Sequence, residues 1–133
     1  MKNQLMHILI NHKIPVSWFT LSVGRKLGLT NNIDIIEFAV NQFENSSPLI
    51  KSIVLNLATY YGQKTENENS VEIEKKLCEL IDCLKRNNCI FNEAIEIDKF
   101  LYAALMNLAE HEKNMHVLLE KVEEIYADFN YPS

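Results

Sequence analysis

The histidines, cysteines and carboxylates of this chain stand at spacings that limit the chemistry they can do. Residues 111–116 read His-Glu-Lys-Asn-Met-His, close to the His-Glu-x-x-His helix of zinc proteases but one residue too long. His111 and His116 are five apart, about 140° around a helix, so one face cannot present both to a metal. His7 with His12 and Cys78 with Cys83 repeat that unsuitable spacing. We expect no metal site, and no motif calls for a cofactor.

Other constellations are equally weak. Gly24-Arg25-Lys26-Leu27-Gly28 sets basic residues beside glycines, yet no strand precedes it and the phosphate-loop pattern is absent. Its ordinary reading is a helix end with a favourable positive charge. A nucleophilic serine would want a Gly-flanked elbow between strand and helix, and none is present. Glu123-Glu124 and Glu110 with Glu112 are candidate acid–base pairs, but carboxylates this close on a helix are usually solvated charges. The remaining enzymatic alternative is a site assembled from distant residues, such as His12, His111 and Glu112. It requires a concave pocket with shifted pKa values. The expectation is a protein without catalytic residues.

Charge is the one feature that survives. Formal net charge is −5. Residues 1–67 hold six basic and four acidic side chains, whereas residues 68–133 hold seven basic and fourteen acidic ones. An acidic half repels nucleic acid and attracts a basic partner. In the last helical segment Leu118, Val122, Ile125 and Phe129 share one face, which puts Glu120, Glu123 and Glu124 on the other. These three form a candidate landing site for a basic protein. Glu72, Glu79 and Asp82, further upstream, are the second candidate set. A solvated acidic surface that aids solubility is the plain alternative. Without a basic stripe, direct nucleic-acid binding is not expected.

The elements that must position these residues read as helices throughout. The 133 residues include only three Gly and three Pro, and Leu, Ile, Asn, Glu and Lys dominate. A first helix covers about 2–11, with Leu5, Ile8 and Leu9 on one face. Ser17 caps a second that runs to about Leu27 through Phe19 and Val23, and Gly28 suits a left-handed cap. Thr30 is placed to cap a third, with Ile33, Ile36, Val40 and Phe43 as its stripe. Ser47-Pro48 reads as a helix start. The helix it opens carries Ile50, Ile53, Val54, Leu57 and Tyr61 and stops at Gly62. Leu49, Leu55 and Ala58 widen its apolar face, so it should be the most buried helix.

Residues 62–70 are polar and aperiodic, a long loop and the best candidate for a mobile segment. A fifth helix spans about 71–86, with Ile73, Leu77, Leu80, Ile81 and Leu84 inward, and Asn87-Asn88 ends it. A sixth covers about 98–110 or starts as early as Asn92, around Leu101, Ala104, Leu105 and Leu108. A seventh runs from about Asn114 to Asp128. The expected fold is all-α, one domain over 1–133, with six or seven helices packed as antiparallel hairpins. A short α-solenoid-like array is an alternative.

Cys78, Cys83 and Cys89 are odd in number and clustered, a poor disulfide framework. Reduced thiols, no secretion-signal pattern and no apolar run of membrane-spanning length point to the cytoplasm, away from membranes. A monomer is the expected state.

Two stretches carry a family resemblance. One is residues 14–29, through Pro15, Ser17, Trp18, Gly24 and Leu29. The other is residues 122–132, through Glu123, Glu124, Ile125, Tyr126, Ala127, Asp128, Phe129, Tyr131 and Pro132. Together they resemble the bacterial domain-of-unknown-function family 2247. The residues between match only in helical rhythm. The resemblance implies no established enzyme activity, and a further segment beyond Ser133. It also implies a setting near polymorphic toxin systems, where small acidic proteins serve as immunity factors. The expectation is therefore an immunity protein that occludes a basic toxin nuclease of the contact-dependent growth inhibition type. A helical adaptor in a larger bacterial complex is the alternative, and it would show a large apolar surface patch.

Overall fold

A computed structural model describes residues 5–63 and 69–129. Seven α-helices follow one another: α1 (Leu5–Asn11), α2 (Trp18–Lys26), α3 (Asn32–Gln42), α4 (Lys51–Ala58), α5 (Ser70–Arg86), α6 (Glu93–His111) and α7 (Met115–Asp128). No strand occurs among the described residues.

Local chemistry accounts for most of the boundaries. Ser17 and Thr20 form a reciprocal capping box at the start of α2. Gly28, at φ 73°, ends that helix in the left-handed region. Asn92 accepts a hydrogen bond from the Ile95 N–H, and Asn114 accepts from His116 and Val117, opening α6 and α7. Asn87 caps α5, and Asn88 turns the chain away at φ 64°.

Three expectations need correction. The cap of α3 is Asn31, not Thr30. Asn31 and Asp34 exchange bonds of 2.9 and 3.0 Å, while Thr30 turns inward and is buried. Ser47-Pro48 does not start α4. It sits in a turn closed by Ile50 N–H to the Ser47 carbonyl, and the helix begins at Lys51 without a side-chain cap. Ile33 and Val40 of the expected stripe are exposed; Ile36 is buried as expected, and Ile35 and Ala39 are buried beside it. The start of α1 before Leu5, residues 64–68 of the expected loop, and Tyr131 lie outside the described residues.

The most buried helix is α6, not α4. Phe100, Leu101, Ala103, Ala104 and Leu108 are all buried along it, whereas α4 buries Val54 and Leu57 and leaves Leu49, Leu55 and Tyr61 exposed. The reason is topological. The α6 helix packs against α1, α2 and α7, while α4 packs between α3 and α5. Contacts of α1 with α6 and of α2 with α5 join elements distant in sequence. Units of a solenoid touch only their neighbours, so these helices close around α6 instead. One apolar cluster draws on all seven, from Leu5 and Leu9 to Ile125.

Two polar knots hold α2 in place. Arg25 ion-pairs with Glu74 of α5 and donates to Asn32 of α3, with a further 3.4 Å bond to Ser70. The helix-end charge expected there is thus a three-helix tie. On the other flank the fully buried Thr20 hydroxyl donates to Glu96 of α6 at 2.5 Å. Lys99 completes that knot at 2.8 Å from the same carboxylate.

The last helix is held more lightly. Ile125 is its one buried residue among those described, and Leu118, Val122, Tyr126 and Phe129 are half-buried against the core. Phe129 thus packs inward with its stripe, as expected, but is not enclosed. Phe129→Ala should cost about 1–2 kcal/mol, less than the roughly 3–5 kcal/mol of an enclosed phenylalanine. Urea unfolding checks this, and a loss near the upper figure would place the ring in the core.

Candidate functional site

Helix by helix, the net charge is unevenly spread. In α5, Glu72, Glu74, Glu79 and Asp82 are matched by Lys75, Lys76, Lys85 and Arg86. Lys76 lies 3.6 Å from Glu79, and Glu74 belongs to Arg25. Four against four leaves this helix neutral, so Glu72, Glu79 and Asp82 make a mixed-charge surface. In α6 the sequence sets Glu93, Glu96, Asp98 and Glu110 against one lysine, Lys99, and in α7 it sets Glu120, Glu123, Glu124 and Asp128 against one, Lys121. Each of those helices nets −3 with His neutral. The acidity of the second half is concentrated on the α6–α7 pair.

Glu120, Glu123 and Glu124 are all exposed on α7, as the helical spacing requires. Glu120 lies 3.7 Å from His116. Glu123 and Glu124 make no ion pair among the described residues. The two candidate sets do not merge into one surface: α5 packs on α2 and α4, α7 on α6.

The α6–α7 turn is a small electrostatic device of its own. Glu112 accepts from the Asn114 backbone N–H at 3.1 Å and meets Lys121 at 3.3 Å. That N–H first, then the ammonium, holds the Glu112 carboxyl below its ordinary range. A depressed carboxyl adds stability above its unfolded pKa and loses it as pH falls through the lower folded value. What Glu112 contributes to this turn is therefore present at neutral pH and removed by acid. Asp34 is shifted the other way, pushed up by burial against the pull of its Asn31 cap bond.

His12, His111 and Glu112 do not converge. His12 lies 3.6 Å from Glu110, where α1 meets the end of α6. The His111 Nδ1 is 2.8 Å from the Asn107 carbonyl. His111 and Glu112 line a cleft of about 350 Å³ between α6 and α7 that His12 does not border. Cys78, Cys83 and Cys89 are free thiols, and burial and the nearby Glu74 push the Cys78 thiol up, away from the reactive thiolate. No helix among the described residues is long and apolar enough to cross a membrane.

Sequence reasoning missed two features. One is the Thr20–Glu96–Lys99 knot, because a carboxylate one turn into a helix reads as solvated. The other is a second cleft of about 450 Å³ beside the first, lined by Leu5, Leu27, Leu29, Ala104 and Phe129. Its walls come from α1, α6, α7 and the α2–α3 connection, and no local pattern announces such a junction.

No curated protein and no solved structure matches the chain. The profile of a family described as an uncharacterized protein conserved in bacteria matches residues 6–133. That span includes both stretches, Pro15 to Leu29 and Glu123 to Pro132, and with it the chain belongs to the bacterial domain-of-unknown-function family 2247.

Proposed function

We propose that this protein is an immunity factor, a binding protein that neutralises a basic toxin domain of nuclease type by covering its substrate groove. The observation that carries this reading is the concentration of net negative charge on α6 and α7, with Glu120, Glu123 and Glu124 exposed. A nuclease must be basic to hold a phosphate backbone. An acidic surface of matching shape is drawn to it quickly and competes with the nucleic acid for the same face. The cytoplasm, where such a toxin would act, is the proposed location.

The test is association with the product of the gene beside the protein's own, followed by stopped flow at low and at physiological salt. Replacing Glu120, Glu123 and Glu124 with Lys should slow association about tenfold or more at low salt. The effect should shrink as salt rises, because the Debye length falls to about 8 Å at physiological ionic strength. Reversing Glu72, Glu79 and Asp82 on the neutral α5 should do much less. Equal rates for wild type and the α7 variant at low salt would remove this patch as the landing site. Failure to bind or to protect cells would end the reading.

A second reading, a helical adaptor, draws on a different observation. Ile33 and Val40 of α3, Leu55 of α4 and Tyr61 after it are all exposed, with Tyr61 at 66%. Loss of binding to a larger complex on replacing Ile33 and Tyr61 with Ser would favour it over the acidic reading.

A further inference from the structure

The two clefts at the α6–α7 seam are parts of one groove with a polarity. They share Ile125 and Asp128. Their α6 walls, Ala104 in one and Leu108 in the other, stand one helical turn apart. The larger part, about 450 Å³, is lined almost wholly by apolar side chains, with Leu27 and Phe129 only half-buried. The smaller part, about 350 Å³, carries Glu112, Glu124 and Asp128. Its one cation, Lys121, is engaged by Glu112 at 3.3 Å. Glu124 and Asp128, one turn apart on α7, make no ion pair among the described residues. Apolar surface at one end and unneutralised carboxylates a turn away from it form a bipartite acceptor.

We propose that this groove is the docking site for a segment of a partner protein that carries a large apolar side chain three or four positions from a Lys or Arg. The apolar side chain seats between Leu27, Leu29 and Phe129, and the cation reaches Asp128 and Glu124. Charge complementarity selects this occupant: a purely apolar ligand would leave both carboxylates beside a dry wall, and a purely basic one would leave the apolar end wet. The inference rests on the reading of a basic partner and adds where, and through what pattern, such a partner is gripped. It moves the contact from the outer face of α7 to its inner edge, with Glu124 common to both.

The probe is a library of short random peptides displayed on phage and panned against the folded protein, with winners then titrated by fluorescence anisotropy. Enriched peptides should share the apolar–basic spacing. Their affinity for the Glu124→Gln/Asp128→Asn variant should be about fivefold weaker at low salt, as two partly exposed ion pairs allow. Replacing the apolar residue of the peptide with Ser should abolish binding. Both substitutions keep side-chain shape at exposed positions, so circular dichroism and thermal melting should not move. No enrichment, enrichment without the spacing, or unchanged binding to the variant overturns the proposal. Peptides that lose binding only to Glu120→Lys/Glu123→Lys also overturn the groove, yet leave the basic-partner reading standing. Peptides that hold to the groove while the neighbouring toxin does not bind sink the toxin reading alone. A dimer in sedimentation whose formation excludes the peptide assigns the groove to a second copy and overturns the proposal.

Discussion

Gly24→Ala should lower the unfolding free energy by about 3 kcal/mol, the upper range of overpacking costs. A Cβ at Gly24 would stand 2.0 Å from the Thr30 hydroxyl and 2.6 Å from the ring tip of Phe100. Neither neighbour yields easily. Thr30 is buried, its backbone N–H is tied to the Gly24 carbonyl at 3.2 Å, and Phe100 is fully enclosed. The opposing gain, alanine over glycine in a helix interior, is about 1 kcal/mol, so the clash decides the sign. Urea unfolding of a double-mutant cycle checks the cause. Thr30→Ala removes a buried hydroxyl that has no hydrogen-bond partner among the described residues, so it should cost little by itself. Added to Gly24→Ala it should recover part of the loss. Independent effects, or a loss under about 1 kcal/mol for Gly24→Ala, would show that the α2–α3 connection moves aside freely.

The second large effect belongs to Glu96. Glu96→Ala should cost about 2–4 kcal/mol, somewhat below the range for a fully buried broken pair because Lys99 keeps some solvent contact. The loss has two parts. Lys99 is left without its carboxylate. The Thr20 hydroxyl, fully enclosed, loses its acceptor and has only Ser17 Oγ at 3.3 Å to turn to. Glu96→Gln keeps an acceptor for Thr20 and should cost less. Replacing the pair together, Glu96→Leu with Lys99→Met, should return the part of the loss that comes from the unpaired Lys99, since both charges and their desolvation cost are gone, while the Thr20 hydroxyl stays without its acceptor. If Glu96→Ala unfolds like wild type in urea, water has already replaced the knot.

The residues explain where sequence reasoning succeeds and where it stops. Helix ends are legible when one residue carries the signal by local chemistry: Ser17 and Gly28 around α2, Asn87-Asn88 after α5, Asn114 before α7; the start of α6 at Glu93 is earlier than the apolar stripe from about residue 98 indicates. They were misplaced where neighbouring residues compete for the same role, as Thr30 and Asn31 do. Asn31 wins because Asp34 stands three positions on and completes the box. Faces were legible on α5, whose charges leave one apolar stripe. On α3 the run Ile33-Asp34-Ile35-Ile36 is apolar on several sides, so more than one stripe fits, and α4 packing chooses among them. The acidic helix face of α7 follows from spacing. That α5 is neutral while α6 and α7 are not could have been counted in advance, had boundaries been fixed first. The groove could not, since Leu5, Leu27 and Phe129 meet only through the long-range fold.

The packing of α1 on α6 sets an order of assembly during synthesis. Leu5, Met6 and Leu9 bury their side chains against a helix that begins only at Glu93. A seven-residue helix is far too short to persist alone in water. At about 5–20 residues per second, the ribosome needs on the order of ten seconds to deliver α6 after α1 has been made. For that interval α1 lacks the helix it chiefly packs on, while α2 through α5 have already been made. The nascent chain therefore closes late, when α6 arrives to receive α1 on one flank and α2 on another.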